Sequence, residues 1–80
     1  MTAIELAEQW FNSGMQKYMQ GDMQGAIQHL DKVLEFTPNV HEAWSIRGSL
    51  LDDLGQYEEA IASYDKAIGF KPDQIGRAHV

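Results

Sequence analysis

Residues 44–72, WSIRGSLLDDLGQYEEAIASYDKAIGFKP, decide the fold. Gly55-Gln56 separates two segments of helical apolar spacing, and Lys71-Pro72-Asp73 closes the second. Proline disfavours helix in the residue before it, and glycine next to a polar residue marks a turn. The stretch therefore predicts two helices joined tightly. Shifted back by 34 residues, the chain reads the same way without a gap. Glu8 falls on Glu42, Trp10 on Trp44, Gly14 on Gly48, Gly21 on Gly55 and Ala26 on Ala60. Ile27 falls on Ile61, Asp31 on Asp65, Lys32 on Lys66, Phe36 on Phe70 and Pro38 on Pro72. About two such identities are expected by chance from average composition. Met23/Tyr57, Leu30/Tyr64, Val33/Ala67 and Leu34/Ile68 are conservative pairs. A fixed period of this length is the mark of a stacked-repeat architecture.

The chain divides accordingly into residues 1–6, an N-terminal extension of the first helix; 7–40, repeat 1; 41–74, repeat 2; and 75–80, an unassigned tail. Four helices are expected. Thr2 with Glu5 forms a capping-box pattern opening a helix from Ala3 to about Gln20. Gly21-Asp22 ends it, and Asp22 can cap a second helix from Met23 to Phe36. Asn39 with Glu42 is read as the cap of a third, running to about Leu54, and the fourth spans Tyr57 to Phe70. No segment alternates with period two, so no strand is expected. The short turns make consecutive helices antiparallel neighbours.

The repeated residues have mechanical uses. Glycine inside a helix costs about 1 kcal/mol against alanine, so Gly14 and Gly48 imply close helix approach, with Ala26 and Ala60 as small opposing surfaces. Trp10 and Trp44 fill volume early in each first helix. Ile27, Leu30, Val33 and Leu34, like Ile61, Tyr64, Ala67 and Ile68, form apolar stripes.

Trp44-x-x-Arg47-Gly48, Gly55-Gln-Tyr57-Glu-Glu-Ala60, Ser63-Tyr64-Asp-Lys-Ala67 and Pro72 together resemble one complete tetratricopeptide repeat. Trp10-x-x-Ser13-Gly14, Gly21-Asp-Met23, Ala26, Leu30, Val33 and Pro38 resemble a weaker copy, which departs from the family pattern at Ser13 and Lys17. The resemblance covers residues 7–74. It implies an all-α fold, a right-handed α-α superhelix of two helix–turn–helix repeats. It also implies a non-catalytic scaffold whose first helices line a concave groove that binds a peptide or a partner's surface.

The first-helix face turned to that groove would carry Glu8, Phe11, Met15, Tyr18 and Met19 in repeat 1. In repeat 2 it would carry Glu42, Ser45, Ser49, Asp52 and Asp53. Methionine and aromatic side chains suit adaptable apolar recognition, and an acid pair can meet a basic residue. The expected partner is a protein or peptide segment with an apolar anchor and a nearby cation. The plainer reading is that Phe11, Met15 and Met19 pack against Ile4 and Leu6, and that Asp52 and Asp53 are solvated. Some relatives grip a C-terminal carboxylate with lysine, asparagine and arginine. The matching positions here are Phe11, Met15 and Ile46, which cannot do so.

Net charge is −6, from 12 acidic and 6 basic residues, with a pI of about 4.7. Nucleic-acid and anionic-membrane binders need basic faces, so neither partner is expected. There is no cysteine, hence no disulfide or thiolate metal site. The N-terminus lacks a signal-peptide pattern, and no apolar run reaches the roughly 18–20 residues of a membrane span; a soluble, cytoplasmic chain is expected. His29, His41 and His79 form no zinc motif and read as exposed helix histidines. Asp52-Asp53-Leu-Gly55 is too sparse in oxygen ligands for calcium, and Ser45, Ser49 and Ser63 have no base in a recognisable motif. Arg47 is expected to lay its stem over apolar surface. No cofactor, metal or catalytic residue is expected.

Ile75 to Val80 matches neither a repeat nor a cap, and it back-translates to something close to a common sequencing-library adapter. We expect the native frame to stop near Asp73 and the protein to be a piece of a longer one. An array-only adaptor and the N-terminal module of a larger enzyme or signalling protein both fit. Self-association through an uncovered fourth helix is a further expectation.

Overall fold

A computed structural model describes residues 1–70. It contains α1 (Ala3–Met19), α2 (Met23–Phe36), α3 (His41–Asp53) and α4 (Tyr57–Phe70), and no strand among the described residues. Pro72 and the tail from Ile75 to Val80, His79 included, lie outside the described residues.

Local chemistry sets each boundary. At α1 the Glu5 amide donates to Thr2 Oγ1 (3.2 Å) and the Thr2 amide to Glu5 Oε1 (2.8 Å), a complete capping box. The helix ends through Gly21 at φ 84°, a left-handed conformation that glycine adopts without Cβ strain. The Gly21 amide reaches the Tyr18 carbonyl and the Asp22 amide the Lys17 carbonyl, both at 2.9 Å. That double closure satisfies carbonyls the helix end would otherwise leave open. Gly55, at φ 82°, repeats it through Asp52 (3.0 Å), with Gln56 reaching Leu51 (2.8 Å). Asp22 then starts α2 by accepting from the Gly25 amide at 2.8 Å.

The start of α3 corrects one expectation. Its N-cap is Val40, which makes no side-chain capping bond. Asn39 does not cap because it is spent in a turn, where the Val40 amide points back to the Thr37 carbonyl at 3.4 Å. Pro38 presets the first central torsion of that turn. Among the described residues no non-glycine residue, Asn39 included, has positive φ. The Trp44 indole Nε1 donates to the Pro38 carbonyl at 2.7 Å and ties the turn to α3.

α1 packs on α2 and α3 on α4, and α3 also lies against α2. Ala26, Leu30, Val33, Ala43, Leu50, Leu51 and Ala60 form the buried core, with Trp10, Phe11, Met15 and Tyr64 leaning on it. Gly14 and Gly48 differ in use. A Cβ on Gly14 would stand 3.0 Å from His29 Cβ and 3.6 Å from the Ala26 carbonyl. A Cβ on Gly48 would stand 2.9 Å from the Tyr64 ring, so the nearest opposing surface there is that aromatic ring.

The repeats are joined by Arg47. Its Nε donates to Asp31 Oδ1 on α2 and its Nη1 to Ser63 Oγ on α4, each at 2.7 Å. Ser63 is wholly buried, so this bond satisfies a hydroxyl that water cannot reach. The guanidinium also stands 6.0 Å from the Trp44 ring, within cation–π range. His29 and His41 are half-buried, against expectation. The His29 ring sits 5.1 Å from Trp10 in an edge-on pair, and its Nδ1 lies 2.8 Å from the Gly25 carbonyl.

Candidate functional site: the groove across the repeat junction

An open groove of about 680 Å³ runs between the N-terminal half of α1, the end of α2 and the start of α3. Ile4, Ala7, Glu8, Phe11 and Asn12 form the α1 wall. Val33 and Thr37 come from α2, Asn39 and Val40 from the connecting turn, and Glu42 from α3. The geometry follows from the elements. Ile4, Glu8 and Phe11 lie one and two turns apart on one face of α1. Ala7 is small enough to leave depth beside them. The Thr37–Val40 turn carries Val40 to the opposite side, where it packs half-buried.

The groove is chemically two-part. Ile4, Phe11, Val33 and Val40 supply an apolar lining, and Ile4 is largely exposed. Glu8 and Glu42 are exposed carboxylates from the first helices of the two repeats. Among the described residues no lysine or arginine lines it. Such a site can take an apolar side chain and hold a cation near it; an anionic group would meet two carboxylates.

A second, smaller hollow of about 460 Å³ is lined by His41, Glu42, Ser45, Ile46, Tyr64, Ala67 and Ile68. It is largely the first groove displaced by one repeat: Ala7, Glu8, Phe11, Asn12 and Val33 become His41, Glu42, Ser45, Ile46 and Ala67. His41 Nε2 lies 3.5 Å from Glu42 Oε1 at its edge.

Of the ten groove candidates, Glu8, Phe11 and Glu42 are brought together in the first groove, and Glu42 and Ser45 line the second hollow. Met15 is half-buried one turn farther along α1 and leans on the core. Tyr18 and Met19 are exposed at the end of α1, Met19 at 83 %. Ser49, Asp52 and Asp53 are exposed along the second half of α3. None of these last six, Met15 included, lines either hollow. Ile4, Asn12, Thr37, Asn39 and Val40 line the groove without having been expected there. Ile4 was recoverable, since it stands four residues before Glu8. The turn residues were not, because a loop's approach to a neighbouring helix has no periodic signal.

Among the described residues no cluster of histidine, aspartate or glutamate side chains could hold a metal ion. No described helix is long and apolar enough to cross a membrane.

Residues 41–74 match the model of the tetratricopeptide repeat family. An uncharacterised protein of Methanocaldococcus jannaschii is 33 % identical over 57 residues, which are 71 % of this chain and 66 % of that protein. Hsp70-Hsp90 organizing protein 2 of Arabidopsis thaliana is 28 % identical over 68 residues, 85 % of this chain and 12 % of that protein. The crystal structure of MamA matches with a TM-score of 0.79 at 29 % identity, over 82 % of this chain and 39 % of that one. The chain thus spans just under two thirds of the first relative's length and far less of the other two.

Proposed function

We propose that this chain, a member of the tetratricopeptide repeat family by its match over residues 41–74 and its likeness to MamA, is a protein-interaction module whose partner binds in the groove between α1 and α3. The fold is all-α, a repeat superhelix. The proposed ligand is an extended peptide with an apolar anchor followed within a few residues by lysine or arginine. The anchor sits against Ile4, Phe11 and Val40, and the cation between Glu8 and Glu42. A longer ligand continues past Met15, Tyr18 and Met19 on one side and Ser45, Ser49, Asp52 and Asp53 on the other. The observation carrying this reading is the joining of an apolar lining to two exposed carboxylates from successive repeats.

The name of Hsp70-Hsp90 organizing protein 2 raises chaperones as partners. A site that grips a C-terminal carboxylate needs cations, and Phe11, Met15 and Ile46 carry none. The reading therefore favours an internal or basic segment of whatever protein is bound. A second reading, the same module serving inside a larger enzyme or signalling protein, is favoured by a likeness that covers 12 % of one relative. The ligand chemistry is the same in both.

Selection of a random peptide library on the immobilised chain tests the proposal. Enrichment of an apolar residue with lysine or arginine within four positions is expected, and a Glu8→Lys, Glu42→Lys variant should lose the basic preference. Enrichment of acidic C-termini would refute it.

A further inference from the structure

The two hollows share a frame and differ in floor and wall. In the first, Ile4, Ala7, Glu8 and Phe11 follow at i, i+3, i+4 and i+7, one face of α1. Ala7 lies between the two larger apolar side chains and is 5 % exposed. Its side chain ends at Cβ, so it forms a floor and leaves depth above it. Phe11 is half-buried and leans on the core, which holds its ring as one wall. Val33 and Val40 line the other side. One repeat further on, His41 stands at the position of Ala7, Ser45 at that of Phe11 and Ala67 at that of Val33. The second hollow thus has an imidazole where the first has a methyl group, and a small hydroxyl side chain where the first has a ring.

Those two differences decide which apolar side chain the first groove suits. A short branched side chain such as valine would rest on Ile4 or Phe11 and leave the space over Ala7 unfilled. An unfilled apolar space forfeits dispersion contacts. A planar ring reaches the Ala7 methyl and meets the Phe11 ring, and aromatic pairs gain beyond the area they bury. Glu8 follows Ala7 directly, so a carboxylate stands beside the anchor for the cation that follows it.

We propose that Ala7 sets the size of the anchor and that the anchor is aromatic. The proposal rests on the groove reading above and narrows its ligand from an apolar-basic to an aromatic-basic segment. The ring goes to the first groove and not to the second hollow, where His41 and Ser45 replace the open floor and the aromatic wall.

The probes are three acetylated, amidated heptapeptides, Gly-Ser-X-Ser-Lys-Ser-Gly, with phenylalanine, leucine or valine at X. Each is titrated into the 80-residue chain labelled with 13C-methyl alanine, so that one spectrum reads affinity and position together. The phenylalanine peptide is expected to bind about tenfold more tightly than the valine peptide, with leucine between them. Through its ring current it should also shift the Ala7 methyl further than the leucine peptide does. Ala7→Val should bring the three affinities within about threefold, because it takes up the space the ring needs. Ala7 packs in the core, so circular dichroism checks that the variant folds; the wild-type series decides the matter without it. Valine bound as tightly as phenylalanine, or an Ala7 methyl moved no further by phenylalanine than by leucine, would overturn the proposal. If the peptides in that case still lose affinity for the Glu8→Lys, Glu42→Lys chain, the groove reading survives. No binding by any of the three at millimolar peptide, or binding that the double variant leaves unchanged, removes the groove reading and this proposal together.

Discussion

The Arg47 guanidinium donates through Nη1 to the wholly buried Ser63 hydroxyl at 2.7 Å, joining the two helices of repeat 2. The same group reaches Asp31 in repeat 1 through Nε. One side chain therefore bonds both within the α3–α4 pair and across the junction between repeats, beside which the groove lined by Glu8 and Glu42 lies.

Arg47→Ala is predicted to destabilise the chain by about 2 kcal/mol, because it leaves a buried hydroxyl unsatisfied. Asp31→Ala should cost under about 1 kcal/mol, since that carboxylate is half-exposed and screened. Urea denaturation of the two variants and of Ser63→Ala measures this. A smaller loss in Arg47→Ala, Ser63→Ala than the sum of the single losses is expected.

Gly48→Ala should destabilise by about 1–3 kcal/mol through overpacking, reduced by up to about 1 kcal/mol of gained helix propensity. The new methyl would meet the Tyr64 ring. Adding Tyr64→Leu, the residue type found at Leu30 in repeat 1, should restore most of the loss. Gly69→Ala, where a Cβ meets nothing, is the matched control and should be neutral or stabilising in thermal unfolding.

Asp22→Ala is expected to cost about 1 kcal/mol by removing the α2 cap. Asn39→Ala should stay within about 0.5 kcal/mol, as surface changes away from special contacts do, because Val40 is the N-cap of α3. Equal losses in guanidinium denaturation would return the capping role to Asn39.

The architecture was legible because it is periodic. The 34-residue offset needs only identities such as Trp10/Trp44 and Gly21/Gly55, and both glycines do sit at left-handed helix ends. What lacked a period was harder to read. Asn39 looked like a cap by residue type, yet Pro38 commits it to a turn. Gly48 implied a close approach with Ala60 as the opposing surface, yet the nearest group is the ring of Tyr64, whose reach across the helix pair has no periodic signal. His29 was read as exposed because nothing in the sequence announces its contact with Trp10. In the groove, Glu8, Phe11 and Glu42 were accessible from helix spacing, whereas Val40 and Thr37 arrive through the path of a loop.

The most direct test of the groove is a 1H–15N correlation titration of the labelled chain with the best apolar-basic peptide from the selection. The account predicts shifts at Ile4, Glu8, Phe11, Val40 and Glu42, lost with an alanine at the peptide's apolar anchor. Shifts confined to α4, or to Leu54 and the Gly55 turn with the α1–α3 groove silent, would contradict it.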